Sequence, residues 1–233
     1  MAVDFNSLTG QLERIYSPRL ALRQVSLCDA WPLFKATRNP LFNEYLLWDQ
    51  PADDLQLLDR IDSIVESARR GRLSALSAVV KDTGEWVSLF RFQPHQVHPA
   101  LVEMGIWTND RFWQGGYSLE LTRACVDAAF SLSSVSALIA AASPSNKASC
   151  KVLERCGLAR TSLVYRSAES NPEVPLQEYM VTRDEWTQAA QAPGFERVPA
   201  FGAALVPRPA PASPAVRGVS HTPHAPGSSL IPA

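Results

Sequence analysis

A mixed, mostly antiparallel β-sheet with helices on both faces, an α/β arrangement of the α+β kind, is what these 233 residues prescribe, with a Pro/Ala-rich tail after it. Three observations carry that expectation. Strand-like alternation and helical spacing follow one another through residues 18–191 in the order β-α-α-β-β-β-α-β-α-β-β. Three central strands are linked by hairpin signals while later ones alternate with helices, which calls for both antiparallel and parallel pairing. Nine of the eighteen prolines fall in residues 192–233, where only Glu196, Arg197, Arg208 and Arg217 are charged and no apolar period is visible. A segment of that kind has too little apolar surface to offset its ordering entropy. The expected organisation is therefore an N-terminal extension (1–17), one domain (18–191) and a disordered tail (192–233).

Each element has a local cause. Residues 19–26 set Leu20 and Leu22 against Arg19 and Arg23, a strand pattern, and Asp29 can cap a helix over 30–38 that stops at Asn39-Pro40. The aromatic stretch 42–48 fits a helix or a loop. After Pro51, Leu57, Leu58, Ile61, Ile64, Val65 and Ala68 recur at helical spacing, Arg69 and Arg70 suit the negative end of the dipole, and Gly71 ends the run. Strands over 74–81 and 85–93 flank the turn signal Asp82-Thr83-Gly84, and a Pro/His loop leads to a third strand over 100–108. The helical period returns over 118–132, followed by a strand over 135–142. A helix opened by Pro144, Ser145 and Asn146 then runs to Cys156, with Gly157 just past its end. Strands over 158–166 and 177–182 and a helix over 183–191 complete the domain.

Composition narrows the chemistry. A net charge of −1 with 19% charged residues gives no basic footprint for nucleic acid or an anionic membrane. The four cysteines, Cys28, Cys125, Cys150 and Cys156, form no CxxC pair and read as small hydrophobes in a reducing compartment. The N-terminus has no secretory pattern and no apolar run reaches membrane-spanning length, so the cytoplasm is the expected location. His95 and His98, enclosed by prolines, lack partners at metal spacing, so no metal is expected. Trp31, Trp48, Trp86 and Trp107 read as core or pocket wall.

The informative junction is Thr108 to Glu120, where a strand runs through Gly115-Gly116 directly into a helix. Such a turn can point successive amides at one spot, and the helix N-terminus adds positive dipole, which favours a phosphate or pyrophosphate. It is neither a dinucleotide fingerprint nor a P-loop, for no G-x-G-x-x-G and no Gly-Lys-Ser/Thr is present. A strand also places Glu103, Gly105 and Trp107 on one face.

Taken together, Glu103-Met104-Gly105-Ile106-Trp107, Phe112 to Glu120, Asn146-Lys147-Ala148-Ser149 and Val152 to Leu158 resemble the GNAT superfamily of acetyl-CoA-dependent N-acetyltransferases. More narrowly they resemble its ribosomal-protein (RimJ/RimL) branch, over residues 18–186, and Val181 to Trp186 is similar to that branch's usual ending. The resemblance implies a GNAT-type sheet and acetyl-CoA as acyl donor. It also implies a primary amine as acceptor, a protein N-terminus or a small molecule, attacked directly in a ternary complex. Trp113, Gln114, Gly115, Gly116, Tyr117 and Ser118 would form the pyrophosphate loop through their backbone amides. The branch reads Trp-Gly-x-Gly-Tyr-Ala there, so Gln114 stands where it has its first glycine. Asn146 would contact the pantetheine arm, Ser149 would protonate the leaving thiolate, and Glu103 would be the general base. An amide near Met104 to Ile106 would meet the oxyanion. Tyr45 and Trp48 fall in the acceptor wall. A homodimer is compatible with the resemblance. The alternative is a catalytically inactive CoA-binding or protein-interaction module of the same fold.

Overall fold

Alternation along the strands sorts side chains onto two faces, and each face is covered by its own helices. The computed structural model describes residues 2–40, 44, 51–95, 98, 100–132, 134–165 and 174–189. The strands are β1 (Leu20–Gln24), β2 (Ser74–Val80), β3 (Trp86–Pro94), β4 (Leu101–Thr108), β5 (Ala137–Ala142), β6 (Ala159–Tyr165) and β7 (Leu176–Thr182). The helices among the described residues are α1 (Phe5–Leu12), α2 (Ala30–Ala36), α3 (Asp54–Arg69), α4 (Tyr117–Ser131), α5 (Lys147–Arg155) and α6 (Arg183–Ala189). All seven strands join one sheet in the order β1-β2-β3-β4-β5-β7-β6. Only β4 and β5 pair in parallel, so the expected mixed, mostly antiparallel sheet is what forms.

On β3, Phe90 and Phe92 enter one buried cluster with Leu8, Leu12, Leu121, Cys125 and Leu138, beneath α1, α4 and α5. Leu89, one residue out of phase, joins a second cluster with Leu33, Leu57 and Ile61, beneath α2 and α3. Each such buried Leu stabilises the fold by roughly 1.5–3 kcal/mol of transfer free energy. Cys125, Cys150 and Cys156 are buried free thiols and Cys28 is exposed; burial pushes the Cys156 thiol up to about 12. Trp86 is buried. Of the two places expected for Trp31, core or pocket wall, the core is excluded: it is 57% exposed and stacks on Phe34. No helix among the described residues is long and apolar enough to cross a membrane.

Two features go beyond the expected order. The first is α1, inside the stretch read as an extension. Asp4 accepts hydrogen bonds from the amides of Asn6 and Ser7, and Phe5, Leu8 and Leu12 turn one face into the first cluster. The second is Arg183 at the start of α6. Its Nη1–H donates to the Phe130 carbonyl (2.7 Å), its Nε–H to that of Val135 (3.0 Å), and its Nη2 to that of Leu132. One guanidinium thus closes the C-terminal end of α4, where a cation also suits the dipole. The tail and the 42–48 stretch, apart from Glu44, lie outside the described residues.

Replacing Arg183 by alanine leaves those partly buried carbonyls unpaired and should cost about 2–4 kcal/mol of stability. Urea denaturation measures it, and Arg183→Lys should recover only part.

Candidate active site

The parallel ladder between β4 and β5 is short. It consists of Leu101↔Ala137, Val102↔Leu138 and Glu103↔Ile139, and both strands continue beyond it without pairing to each other. Asn109 N–H bonds to the Val87 carbonyl (2.8 Å) and His95 N–H to that of Leu101 (3.1 Å), so the odd-numbered positions of β4 turn their polar groups to β3. The even-numbered ones face β5, and Ile106 N–H lies past the last rung, directed into the opening. A cleft therefore separates the C-terminal halves of two parallel strands.

Both strands end in a loop that enters a helix at that cleft. After β4 a short 3₁₀ turn (Asp110–Phe112) leads to Trp113, whose indole N–H bonds back to the Thr108 carbonyl (2.9 Å). Gln114 then adopts φ 63°, a left-handed conformation that costs a non-glycine residue roughly 1–2 kcal/mol. This is the position where the resembled loops have glycine, which explains why glycine suits it. A Cβ on Gly115 would lie 2.9 Å from the Tyr117 ring, so that residue must be glycine for the ring to sit where it does. Gly116, at φ 78°, is the N-cap of α4 and supplies no capping side chain. The first-turn amides of Tyr117, Ser118 and Leu119 thus have no side-chain cap, unlike those of α1, α3 and α5, which Asp4, Asp53 and Asn146 serve. Ser118 Oγ and Thr108 Oγ1 are hydrogen-bonded at 2.9 Å, tying the helix to the strand end.

After β5, Asn146 caps α5 by accepting from Ser149 N–H at 3.1 Å. The side-chain oxygen of Asn146 is thereby used within the helix. Ser149 is half-buried.

Glu103 projects from the face that carries α2 and α3, with Gly105 and Trp107. Trp107 packs against the second cluster, while Met104 lies in the first. One carboxylate oxygen of Glu103 accepts from Gln93 Nε2 (2.8 Å), directly across on β3. The other lies 3.9 Å from His95 Nε2. Tyr165 on β6 belongs to the same surroundings: burial raises its phenol, and the carboxylates of Glu103 and Glu178 raise it further. Trp113 to Ser118 and Asn146 with Ser149 are thus placed at one edge of the cleft and Glu103 at its closed end. Tyr45 and Trp48 lie outside the described residues. No group of three or more His, Cys, Asp or Glu among the described residues could hold a metal ion.

Sequence reasoning missed the support of the loop. Glu120, in the first turn of α4, is held by Ser17 Oγ–H, Arg19 N–H (2.9 Å) and Arg19 Nε–H (2.7 Å). Burial alone would raise its carboxyl, but these bonds outweigh burial and leave it below the ordinary range. The partners are about a hundred residues apart, and no local pattern marks the pair. Gln93 and His95 were likewise visible only once β3 and β4 were in register.

Residues 19–159 match the family described as an acetyltransferase (GNAT) domain, and the chain belongs to that family. It is 25% identical over 153 residues to an uncharacterized N-acetyltransferase, p20, of Bacillus licheniformis, covering 66% of this chain and 86% of that one. Its fold is shared with a putative ribosomal-protein-serine acetyltransferase from Vibrio cholerae (TM-score 0.63, 18% identity, 72% of this chain and 96% of that one). It is shared equally with the aminoglycoside acetyltransferase AAC(6')-Ib in complex with coenzyme A (TM-score 0.61, 15% identity, 74% and 99%).

Two outcomes follow for the loop and its support. Gln114→Gly should relieve the left-handed strain and raise stability by about 0.5–1 kcal/mol, after the added chain entropy is subtracted, whereas Gly116→Ala should cost about 1–2 kcal/mol. Melting temperatures read both. Because the folded-state pKa of Glu120 is depressed, its contribution is complete above the unfolded value of about 4.3 and is lost as pH falls through the folded one. Urea midpoints between about pH 6 and pH 3 should fall more steeply for the wild type than for Glu120→Gln.

Proposed function

We propose that the chain transfers an acetyl group from acetyl-CoA to a primary amine by direct attack in a ternary complex. The observation that carries this reading is the β4–β5 cleft, with an uncapped helix N-terminus at its open edge and a carboxylate at its closed end. From Glu103 to Thr108 is five residues, about 17 Å of strand. The pantetheine arm, a dozen bonds between pyrophosphate and sulfur, extends roughly 15 Å. A pyrophosphate on the amides of residues 113–118 would therefore deliver its thioester close to Glu103. The arm would lie along the opening, where the unpaired strand edges and the Asn146 amide can hydrogen-bond it. Acetyl-CoA supplies the activated acyl group; no metal takes part.

In this reading Glu103 accepts a proton from the attacking ammonium, directly or through a water. Gln93 binds one of its oxygens, and the other, 3.9 Å from His95 Nε2, takes that task. Ile106 N–H is directed to where the oxyanion of the tetrahedral intermediate would form. The Ser149 hydroxyl returns a proton to the departing thiolate. The acceptor is a protein N-terminus or a small-molecule amine, in keeping with the ribosomal-protein and aminoglycoside acetyltransferases that share the fold. We place the reaction in the cytoplasm, on the support of four free cysteines.

Thiol release from acetyl-CoA in the presence of a panel of amines tests the proposal, with amine-dependent release as the expected result. Glu103→Gln should lower kcat by about 10²-fold or more, while Ser149→Ala should cost about tenfold. Acetyl-CoA binding without amine-dependent release would assign the chain instead as an inactive CoA-binding module. Full turnover in Glu103→Gln would remove the base assignment.

A further inference from the structure

Strand β1 begins beside the N-terminus of α4, and Arg19 at its head reaches over the loop. Its Nη1–H donates to the carbonyl oxygen of Gly115 (2.9 Å) and its Nε–H to Glu120 Oε2 (2.7 Å). Its guanidinium carbon lies 3.9 Å from the centre of the Tyr117 ring, which itself meets Phe112 edge-on at 5.2 Å. Three independent contacts thus hold one planar group, and the carboxylate that anchors it is only 12% exposed.

The bond to Gly115 has a consequence for the opposite side of the same peptide. In a planar trans unit the C=O and the following N–H point in opposite directions. No peptide among the described residues is cis. With the Gly115 oxygen turned to Arg19, the Gly116 N–H must point away from it. Glycine lies on both sides of that peptide, so no Cβ opposes rotation of the unit as a whole. If it turned over, a carbonyl oxygen would replace the N–H at the helix N-terminus, and an anion would meet an acceptor instead of a donor.

We propose that Arg19 is a positioning residue: by binding the Gly115 carbonyl it holds the Gly115–Gly116 peptide with its N–H directed at the pyrophosphate of the acyl donor. The assignment rests on the reading of residues 113–118 as the pyrophosphate loop. Glu120 and Ser17 serve it in turn by fixing the guanidinium. Gln114, already in a left-handed conformation, gives the loop a second reason to need an external hold.

The test compares equilibrium binding of CoA with that of pantetheine, which lacks the phosphates, in the full chain. Arg19→Met should weaken CoA about tenfold, the loss of one charge-assisted hydrogen bond and its preorganisation, and change pantetheine less than twofold. Arg19→Lys keeps a cation for Glu120 but lacks the planar fork that spans Glu120 and Gly115 together, so it should show the same selectivity with a smaller loss. It decides the matter if Arg19→Met fails to fold. Equal losses for CoA and pantetheine would reduce Arg19 to general structural support and overturn the proposal, as would unchanged CoA affinity. If the wild type bound CoA no more tightly than pantetheine, the pyrophosphate reading of the loop would fail, and the Arg19 proposal with it.

Discussion

An α-helix ends in amides without partners on one side and carbonyls without partners on the other, and in this protein the two ends of α4 are treated in opposite ways. The carbonyl end is closed by the guanidinium of Arg183, which reaches Phe130, Leu132 and Val135. The amide end is left open by Gly116, a cap without a side chain. Between them nine residues of the helix are buried, so its position is set by the core and cannot relax toward a partner. The helix is thereby anchored at its back and sides while its unsatisfied, positive end is presented at the edge of the sheet. The proposed donor site, the loop that would shape it and the support from β1 all follow from that asymmetry.

The second constraint is the incomplete pairing of β4 with β5. Its neighbours in the sheet pair further: β3 and β4 over seven positions and β5 and β7 over six, against three for β4 and β5. Unpaired strand edges are costly in an interior, so the parting must be held by what lies on each face. On one side α4 and α5 pack against each other and against the first cluster, and Arg123 of α4 bonds to the Arg155 carbonyl at the end of α5. On the other, Glu103, Gln93, His95 and Tyr165 gather polar and ionisable groups at the last rung. In the proposed reading an acyl donor would replace the missing rungs with its own amides, so that the ligand completes the sheet where β4 and β5 do not pair.

The elements of the sheet were legible because their causes are local. Leu57 and Ile61 stand one turn apart on the buried side of α3, and Asp82-Thr83-Gly84 turns β2 into β3, both as their spacing implies. The helix α1 carried the same kind of signal, an Asp4 cap and Phe5, Leu8 and Leu12 at helical spacing, but Gly10 and the short length hid it. Trp31 shows what local pattern leaves open: core and pocket wall were both compatible with it, and the stripe of α2 that enters the core is Ala30, Leu33 and Ala36.

The site divides along the same line. The sequence by itself determined which backbone would be free: glycines at 115 and 116 before an amphipathic helix, an asparagine opening the next one, and a lone carboxylate on an otherwise apolar strand. These are matters of spacing within a few residues, where propensity and capping act. Only the tertiary structure decided what holds them. Arg19 meets Gly115 and Glu120 across about a hundred residues of chain, Gln93 meets Glu103 because β3 and β4 settle in one register, and the β4–β5 ladder stops at its third rung. Contacts of this kind depend on which surfaces pack together once the core has formed, and no local pattern in the chain encodes that.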